Sequence, residues 1–476
     1  MSKSNKVVIA ESDRIPFVQK LGFSIGVNTE YFASGLTMSV LWMPFFNIGI
    51  GMSPTVLGII LMVFMLWDAI TDPVMGYISD NIRTRWGRRR PFIVIGAVCT
   101  TLIYPLFWYI PDFSTDAMRI TYLVVVGIAF YTGFTIWSMP YYGLQMELTP
   151  NYDEKTRLSA YMAVFGKLSA LCGGWVLALA TNPSIIGSSS AEGDIVAGMR
   201  NICWWMCGLI LFCGLLPALV VKERYFEREV VPKDRECFMT SLKESFSCMP
   251  LWLLIGISFF LLAGVFSVKA VGQYVNIYYV FGGDLSAAAV MEGWKGTAMV
   301  TAGITLIPFW IWVGEQLDKK AMVVTLLIVV MVGHALNYLC MRPSMPWLQL
   351  IPAAFESAGL SAVWVFLPSM KADVADYDEM NTSRRREGSL NSFYSWFFKA
   401  AMTVSMGVGG YVLDVSGFSA GLAVQPEAVV SRMFNIYLLL PYVPWGLALF
   451  FALKYPLSRR KMDDLRNTLE EKRGLA

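Results

Sequence analysis

Charge is what this sequence is short of. Only 15% of its 476 residues are charged while 56% are hydrophobic, and the mean hydropathy is +0.53. A water-soluble globule needs a surface roughly a quarter or more charged, so a soluble domain is excluded and lipid is the solvent. There is a single histidine, His334, so neither a histidine relay nor a histidine metal site can be assembled, and His334 is expected to be a packing residue. The cysteines are equally uninformative. Five of the eight, Cys99, Cys172, Cys203, Cys207 and Cys213, lie in apolar runs, where a thiol behaves as a small hydrophobe. Cys203 and Cys207 lack His or Cys partners at zinc-ligand spacing. No nucleophile set, metal set or phosphate loop is found, so no enzyme, no cofactor and no nucleic-acid partner is expected. The first twenty residues are charged and lack an apolar core, so no secretory leader is expected.

What is present is a series of apolar runs. A bilayer-crossing helix needs about 20 mostly apolar residues because its backbone polar groups must be bonded internally. Twelve runs meet this, at 22–47, 54–79, 91–111, 119–145, 158–182, 199–221, 250–280, 287–314, 321–341, 346–370, 388–413 and 432–455. Basic residues follow the even-numbered runs: Arg83, Arg85, Arg88, Arg89 and Arg90 after the second, Lys222 and Arg224 after the sixth, Lys319 and Lys320 after the eighth. The positive-inside rule puts that side, and both termini, in the cytoplasm. A charged stretch at 222–249 divides the chain into six-span halves at 1–221 and 250–476. The run GYISDNIRTRWGRRRP after the second span is echoed by GEQLDKK after the eighth, which points to an internal repeat. Transporters built from such repeats hold their sites near the bilayer midplane.

Ionisable residues inside apolar runs are expensive and usually functional. They are Glu30, Asp68, Asp72, Lys167, Lys269, Glu292, Lys295, Glu356 and Lys399, of which Glu292 and Lys295 can equally be interfacial. The sharpest cluster is WDAITDP. Asp68 and Asp72 are four apart and so lie on one helix face about 6 Å apart. Two such carboxylates repel unless a cation or proton lies between them. Asp68, Thr71 and Asp72 together offer the hard oxygens that sodium prefers. The alternative is structural pairing of the aspartates with Lys399 or Lys167. Asp80, Arg88 and Arg89 lie in the loop after the second span, either as a topological anchor or as a salt-bridge latch that gates movement. Lys269 and Gln273 are four apart and can share one cavity-facing face with Tyr274, or bridge helices.

The runs WDAITDPVMGYISDNIRTRWGRRRPFI, FTIWSMPYYGL and KADVADYDEMNTSRRREGSLNSFYSWFFK, in this order, resemble the glycoside–pentoside–hexuronide:cation symporters, a branch of the major facilitator superfamily. The resemblance covers nearly the whole chain. It implies an all-α integral membrane fold of twelve transmembrane helices in two six-helix bundles, and cation-coupled transport of a sugar or glycoside by alternating access. It places the cation site on Asp68, Asp72, Thr71 and Thr135, and a coupling lysine at Lys399. Thr71 stands where asparagine is common in the melibiose permease type. On the substrate side it places Ser395 and Trp364, with Glu30 and Tyr31, Ser138, Tyr142 and Lys167 near family positions whose residues differ here. Those departures speak against a galactoside. With Lys167 and Lys269 as intramembrane bases, they raise an anionic sugar such as a hexuronide as one candidate beside a neutral sugar or glycoside. Tyr142, Trp364 and Trp396 are expected to stack on a sugar ring.

The expected partners are a small sugar, a monovalent cation, Na+ or H+, and the lipid bilayer. The chain is expected to act as a monomer in a cell membrane, plasma or bacterial inner. The rivals are a facilitator of a non-sugar solute such as a lipid and, more remotely, a membrane sensor.

Overall fold

The computed structural model describes residues 14–472 apart from 83, 150, 187–193, 224–245, 247, 362–364, 383–386, 421 and 423. Most of the expected middle loop at 222–249, with Arg224, therefore lies outside the described residues, as do Arg83 and Trp364. Every regular element among the described residues is helical.

The principal helices are α1 (Phe17–Ile25), α2 (Pro54–Asn81), α3 (Arg90–Ile103), α4 (Asp116–Glu147), α5 (Tyr152–Gly173), α6 (Ile195–Val220), α7 (Met249–Val275), α8 (Leu285–Thr305), α9 (Lys319–Ala335), α10 (Leu350–Ser361), α11 (Leu367–Thr382), α12 (Glu387–Val415), α13 (Glu427–Leu439), α14 (Tyr442–Lys454) and α15 (Arg459–Lys472). Side-chain caps start several of them. Thr115 accepts from the Met118 N–H at α4, Asp194 from the Val196 and Ala197 N–H groups at α6, and Asp284 from the Ala287 N–H at α8.

Eight helical stretches among the described residues are long and apolar enough to cross a membrane, or nine if a pair bent by 42°, Leu285–Thr305 with Pro308–Gly314, counts as one span. The expected spans that fail the test have local reasons. The first, 22–47, is not one α-helix: after α1 come a single turn, Val27–Glu30, and π-helical turns at Tyr31–Gly35, Thr37–Leu41 and Pro44–Gly49. The run carries Glu30 at the α-to-π junction, a register change common at functional sites. The tenth, 346–370, includes 362–364, which lie outside the described residues. The eleventh, on α12, carries Asn391, Ser392, Ser395 and Lys399 and is too polar for its length.

The chain divides into two compact units, Met1–Phe45 with Leu66–Val231, and Phe46–Met65 with Pro232–Ala476. In the first, α3 packs along α4 and α6, and α1 along α5 and α6. Gly96 allows the closest of these approaches, since a Cβ there would stand 2.3 Å from the Trp137 backbone nitrogen. In the second, α7 packs on α12 and α14, and α10 on both α8 and α9, around a core that includes Leu251, Leu254, Leu326 and Ala448. Many large apolar side chains stay exposed: Leu66, Ile70, Val74 and Tyr77 make a stripe along α2. Spaced by three and four, they form the lipid-facing side of an amphipathic helix turned inside out, polar inward and apolar outward.

Candidate functional site

The first unit gathers the oxygen ligands that the sequence singled out. Asp68, Thr71 and Asp72 occupy consecutive turns on the face of α2 opposite the Leu66–Ile70–Val74 stripe. Thr135 on α4 donates to Asp68 Oδ1 at 3.0 Å and lies 3.2 Å from the Thr71 hydroxyl. Thr71 also donates to the Trp67 carbonyl at 3.0 Å. One turn away, Trp67 Nε1 donates to Thr132 Oγ1 at 2.9 Å, so α2 and α4 are tied twice. Asp68 and Thr135 are buried, at 8% and 1% exposure, and one oxygen of Asp72 is shielded from solvent. Pro73 adds a local effect, because it has no N–H to give the Ala69 carbonyl within the same turn.

Chemically this is one carboxylate and two hydroxyls in contact, with a second carboxylate, Asp72, one turn along the same helix face. A hydroxyl donates to a carboxylate when the site is empty and turns its lone pairs to a hard cation when one enters. Imidazole and thiolate are absent from it. Among the described residues no group of three or more His, Cys, Asp or Glu has the arrangement of a resident metal site.

The remaining first-unit candidates are partly brought together. Tyr142 donates to the Glu30 carboxylate, which ties α4 to the π-bulged first span. Tyr31 leans on α5, where a Cβ on Gly173 would come within 2.5 Å of its ring. Ser138 is buried on α4, and Lys167, half-buried on α5, is not drawn into the Glu30–Tyr142 hydrogen bond.

In the second unit Lys269 is exposed on α7, within electrostatic reach of Glu292, and Gln273 is buried one turn on. Tyr274 is not a cavity residue: it is fully buried and donates to Asn47 Oδ1 at 2.6 Å. Glu292 and Lys295 pair with each other at 3.0 Å. On α12, Ser395 and Trp396 are exposed and Lys399 is half-buried.

Asp80, Arg88 and Arg89 do form a charge cluster, with members that sequence reasoning missed. Arg89 reaches Asp80 at 2.9 Å and Glu147, at the end of α4, at 2.6 Å; Arg88 also bonds Glu147. Glu223 accepts from the backbone N–H groups of Arg88, Arg89 and Arg90 at 2.7, 3.0 and 3.0 Å, capping α3 where its dipole favours an anion. Two glycines make room. Gly87 has φ +112°, and a Cβ there would press on the Glu223 carboxylate; at Gly143 a Cβ would stand 1.0 Å from Arg89 Nη1. A glycine one turn before a glutamate at the helix end, in YYGLQME, was the available signal.

In the second unit the echo GEQLDKK behaves alike. Lys319 pairs with buried Asp373 at 2.6 Å, and Asp373 is the first acid of the KADVADYDE run.

An all-helical chain with many spans, an oxygen-lined polar shell inside one of its units and paired charge clusters at helix ends defines a multi-pass membrane transporter. The sequence model described as MFS/sugar transport protein matches residues 24–459, and the chain belongs to that family. It is 24% identical to the glucuronide carrier protein homolog of Escherichia coli, over 94% of this chain and 93% of that protein. It is also 24% identical to the sodium-dependent lysophosphatidylcholine symporter 1 of Gallus gallus, over 97% of this chain and 90% of that protein. Among solved structures, a bacterial homologue of the human lysosomal transporter Spinster, inward-facing and unoccupied, superposes with a TM-score of 0.64 at 14% identity, covering 94% of this chain and all of that one. The family transports solutes and is not one of enzymes.

Proposed function

We propose that the protein is a symporter that moves a sugar or glycoside, of the anionic hexuronide class, with a monovalent cation. Asp68, Thr71, Asp72 and Thr135 hold the cation. The observation that carries this reading is the hydrogen bond from Thr135 to Asp68 with the Thr71 hydroxyl beside it, three hard oxygen donors in contact, with Asp72 one turn further on the same face of α2. Such a shell suits Na+ and needs no ligand that only a proton would use. Lys399 serves as the coupling residue. The substrate-facing side chains are Glu30, Tyr31, Ser138, Tyr142 and Lys167 in the first unit, and Lys269, Gln273, Trp364, Ser395 and Trp396 in the second. Asp80, Arg88 and Arg89 belong to a gating latch. The protein works as a monomer in a cell membrane with both termini in the cytoplasm. Coupling is differential affinity: the cation tightens sugar binding, and by linkage the sugar tightens the cation by the same factor.

The likeness to a glucuronide carrier homolog and the basic residues Lys167 and Lys269 support the anionic sugar. The equal likeness to lysophosphatidylcholine symporters favours a second reading, a cation-coupled carrier of a zwitterionic lipid. Uptake into vesicles with an imposed Na+ gradient separates them, using radiolabelled glucuronides and lysophosphatidylcholine side by side. Na+-driven glucuronide accumulation that disappears in Asp72→Asn is the expected result. Accumulation of the lipid alone establishes the second reading, and indifference of both to Na+, Li+ and H+ removes the coupling.

A further inference from the structure

The chain's one histidine was expected to be a packing residue, and its surroundings are more specific than that. His334 is fully buried near the C-terminal end of α9. Its Nε2 lies 3.0 Å from the Tyr437 carbonyl, and its Nδ1 lies 3.4 Å from both Glu356 Oε1 and Asn337 Nδ2. Asn337 Nδ2 in turn donates to Glu356 Oε1 at 3.4 Å and to the His334 carbonyl at 3.1 Å. Three polar atoms thus form a triangle inside an aromatic wall: the rings of Tyr437, Trp445 and Tyr442 stand 4.9, 5.3 and 6.0 Å from the imidazole. The triangle exists because α9 and α10 meet closely. A Cβ on Gly333 would lie 2.2 Å from Phe355 Cβ, so only glycine allows His334 and Glu356 this approach.

A carbonyl oxygen only accepts, so Nε2 carries a hydrogen in every protonation state. That leaves Nδ1 as the variable atom. In the neutral ring its lone pair accepts from Asn337. In the charged ring Nδ1–H donates to Glu356, while Asn337 keeps the His334 carbonyl as its acceptor. Both states are satisfied by rotations of side chains already in place, whereas an imidazolium so buried without a carboxylate would be severely penalised. Glu356 is 34% exposed and His334 not at all, which gives the proton an entry through the carboxylate. We propose that His334, Glu356 and Asn337 form a proton-binding site in the second unit.

Other titratable groups on the packed elements do not replace these roles. Tyr437 on α13 offers its carbonyl, and Tyr442 on α14 donates its hydroxyl to the Met331 carbonyl at 2.8 Å. Glu292 and Lys295 on α8 are paired with each other, and Lys269 on α7 lies near Glu292. Arg432 on α13 bonds the Ser416 carbonyl at 3.4 Å, and Glu427 is further along the same helix. Cys340, a free buried thiol, and Arg342 follow Asn337, while Lys319, Lys320 and Lys454 sit at far helix ends.

A single histidine makes the test direct. The full chain, labelled with ring-15N histidine and reconstituted in nanodiscs, gives one imidazole spin system to follow by NMR from pH 5 to 8.5. The expected result is the Nε2–H tautomer at high pH, converting to imidazolium as the pH falls. Glu356→Gln should leave the ring neutral across that window, and Glu356→Asp should restore part of the conversion. An Nδ1–H tautomer in the wild type overturns the proposal, as does a wild-type ring that never titrates or titration identical in Glu356→Gln. The wild-type spectra decide the first two outcomes even if a variant fails to fold.

Discussion

Each unit holds a carboxylate on a membrane helix, buried in Asp68 and partly exposed in Glu356, and the two keep different company. Asp68 is met by the Thr135 hydroxyl, with Thr71 and Asp72 on the same face. Glu356 is met by an imidazole and an amide. Hydroxyls and carboxylates are hard oxygens that can be handed from each other to a cation, whereas an imidazole beside a carboxylate can take up and hold a proton. The neighbours, more than burial itself, thus set what each carboxylate can bind. The same contrast recurs at the helix ends. The first unit builds a five-member cluster of Asp80, Arg88, Arg89, Glu147 and Glu223, and the second makes do with Lys319 and Asp373.

The sharpest way to break the comparison is Asp68→Asn. Cation-driven accumulation in vesicles should fall by about 100-fold or more, because a charge that only a charged ligand satisfies is gone. Glu356→Gln in the same assay should keep its cation dependence. Equal losses in both would mean the two carboxylates are not specialised.

Next in size is Glu147→Gln. It strips two partly buried arginines of a shared carboxylate and should cost about 3 kcal/mol, read as a lower thermal midpoint in detergent. The corresponding Lys319→Met removes a half-exposed partner from buried Asp373 and should cost less, about 1–2 kcal/mol. Similar losses would show that the clusters carry equal weight.

Thr135→Ala should weaken cation half-saturation by roughly 10-fold, the worth of one hydrogen bond to a charged group, while Thr135→Ser stays near wild type. A cation titration of uptake distinguishes them.

The smallest effect concerns Glu154, at the start of α5. Burial raises its carboxyl, but Lys20 at 2.6 Å, the Ile15 N–H and Arg157 outweigh burial and hold it below the usual carboxylate range. A lowered folded value means the stabilisation is present above about pH 4.3 and is lost as pH falls through the folded value. Glu154→Gln should therefore cost about 1 kcal/mol at pH 7 and progressively less as the pH falls through the folded value, measured by denaturation across that range.

Much of the proposed ion site was legible because the helix repeat itself carries the information. Asp68, Thr71 and Asp72 fall on one face at any packing, and the exposed Leu66–Ile70–Val74 stripe says which face looks inward. Thr135 came from a family resemblance, and the structure supplies its contact with Asp68. The charge latch was half legible. Arg88 and Arg89 stand out as a basic run, but Glu147 and Glu223 read as ordinary solvated helix ends, and nothing in a one-dimensional pattern brings residue 223 back to the start of α3. The first span misled: its hydropathy suits an unbroken helix, yet π-helical turns interrupt it around Glu30.

The sequence by itself determined the solvent, the class of fold and the two aspartates, because hydropathy and helical period are local properties of the chain. Only the tertiary structure decided that Gly143 is the passage for Arg89, that Gly333 lets α9 and α10 meet, and that His334 finds a carboxylate. Those depend on contacts between residues far apart in sequence, at distances where a single Cβ would be enough to forbid them.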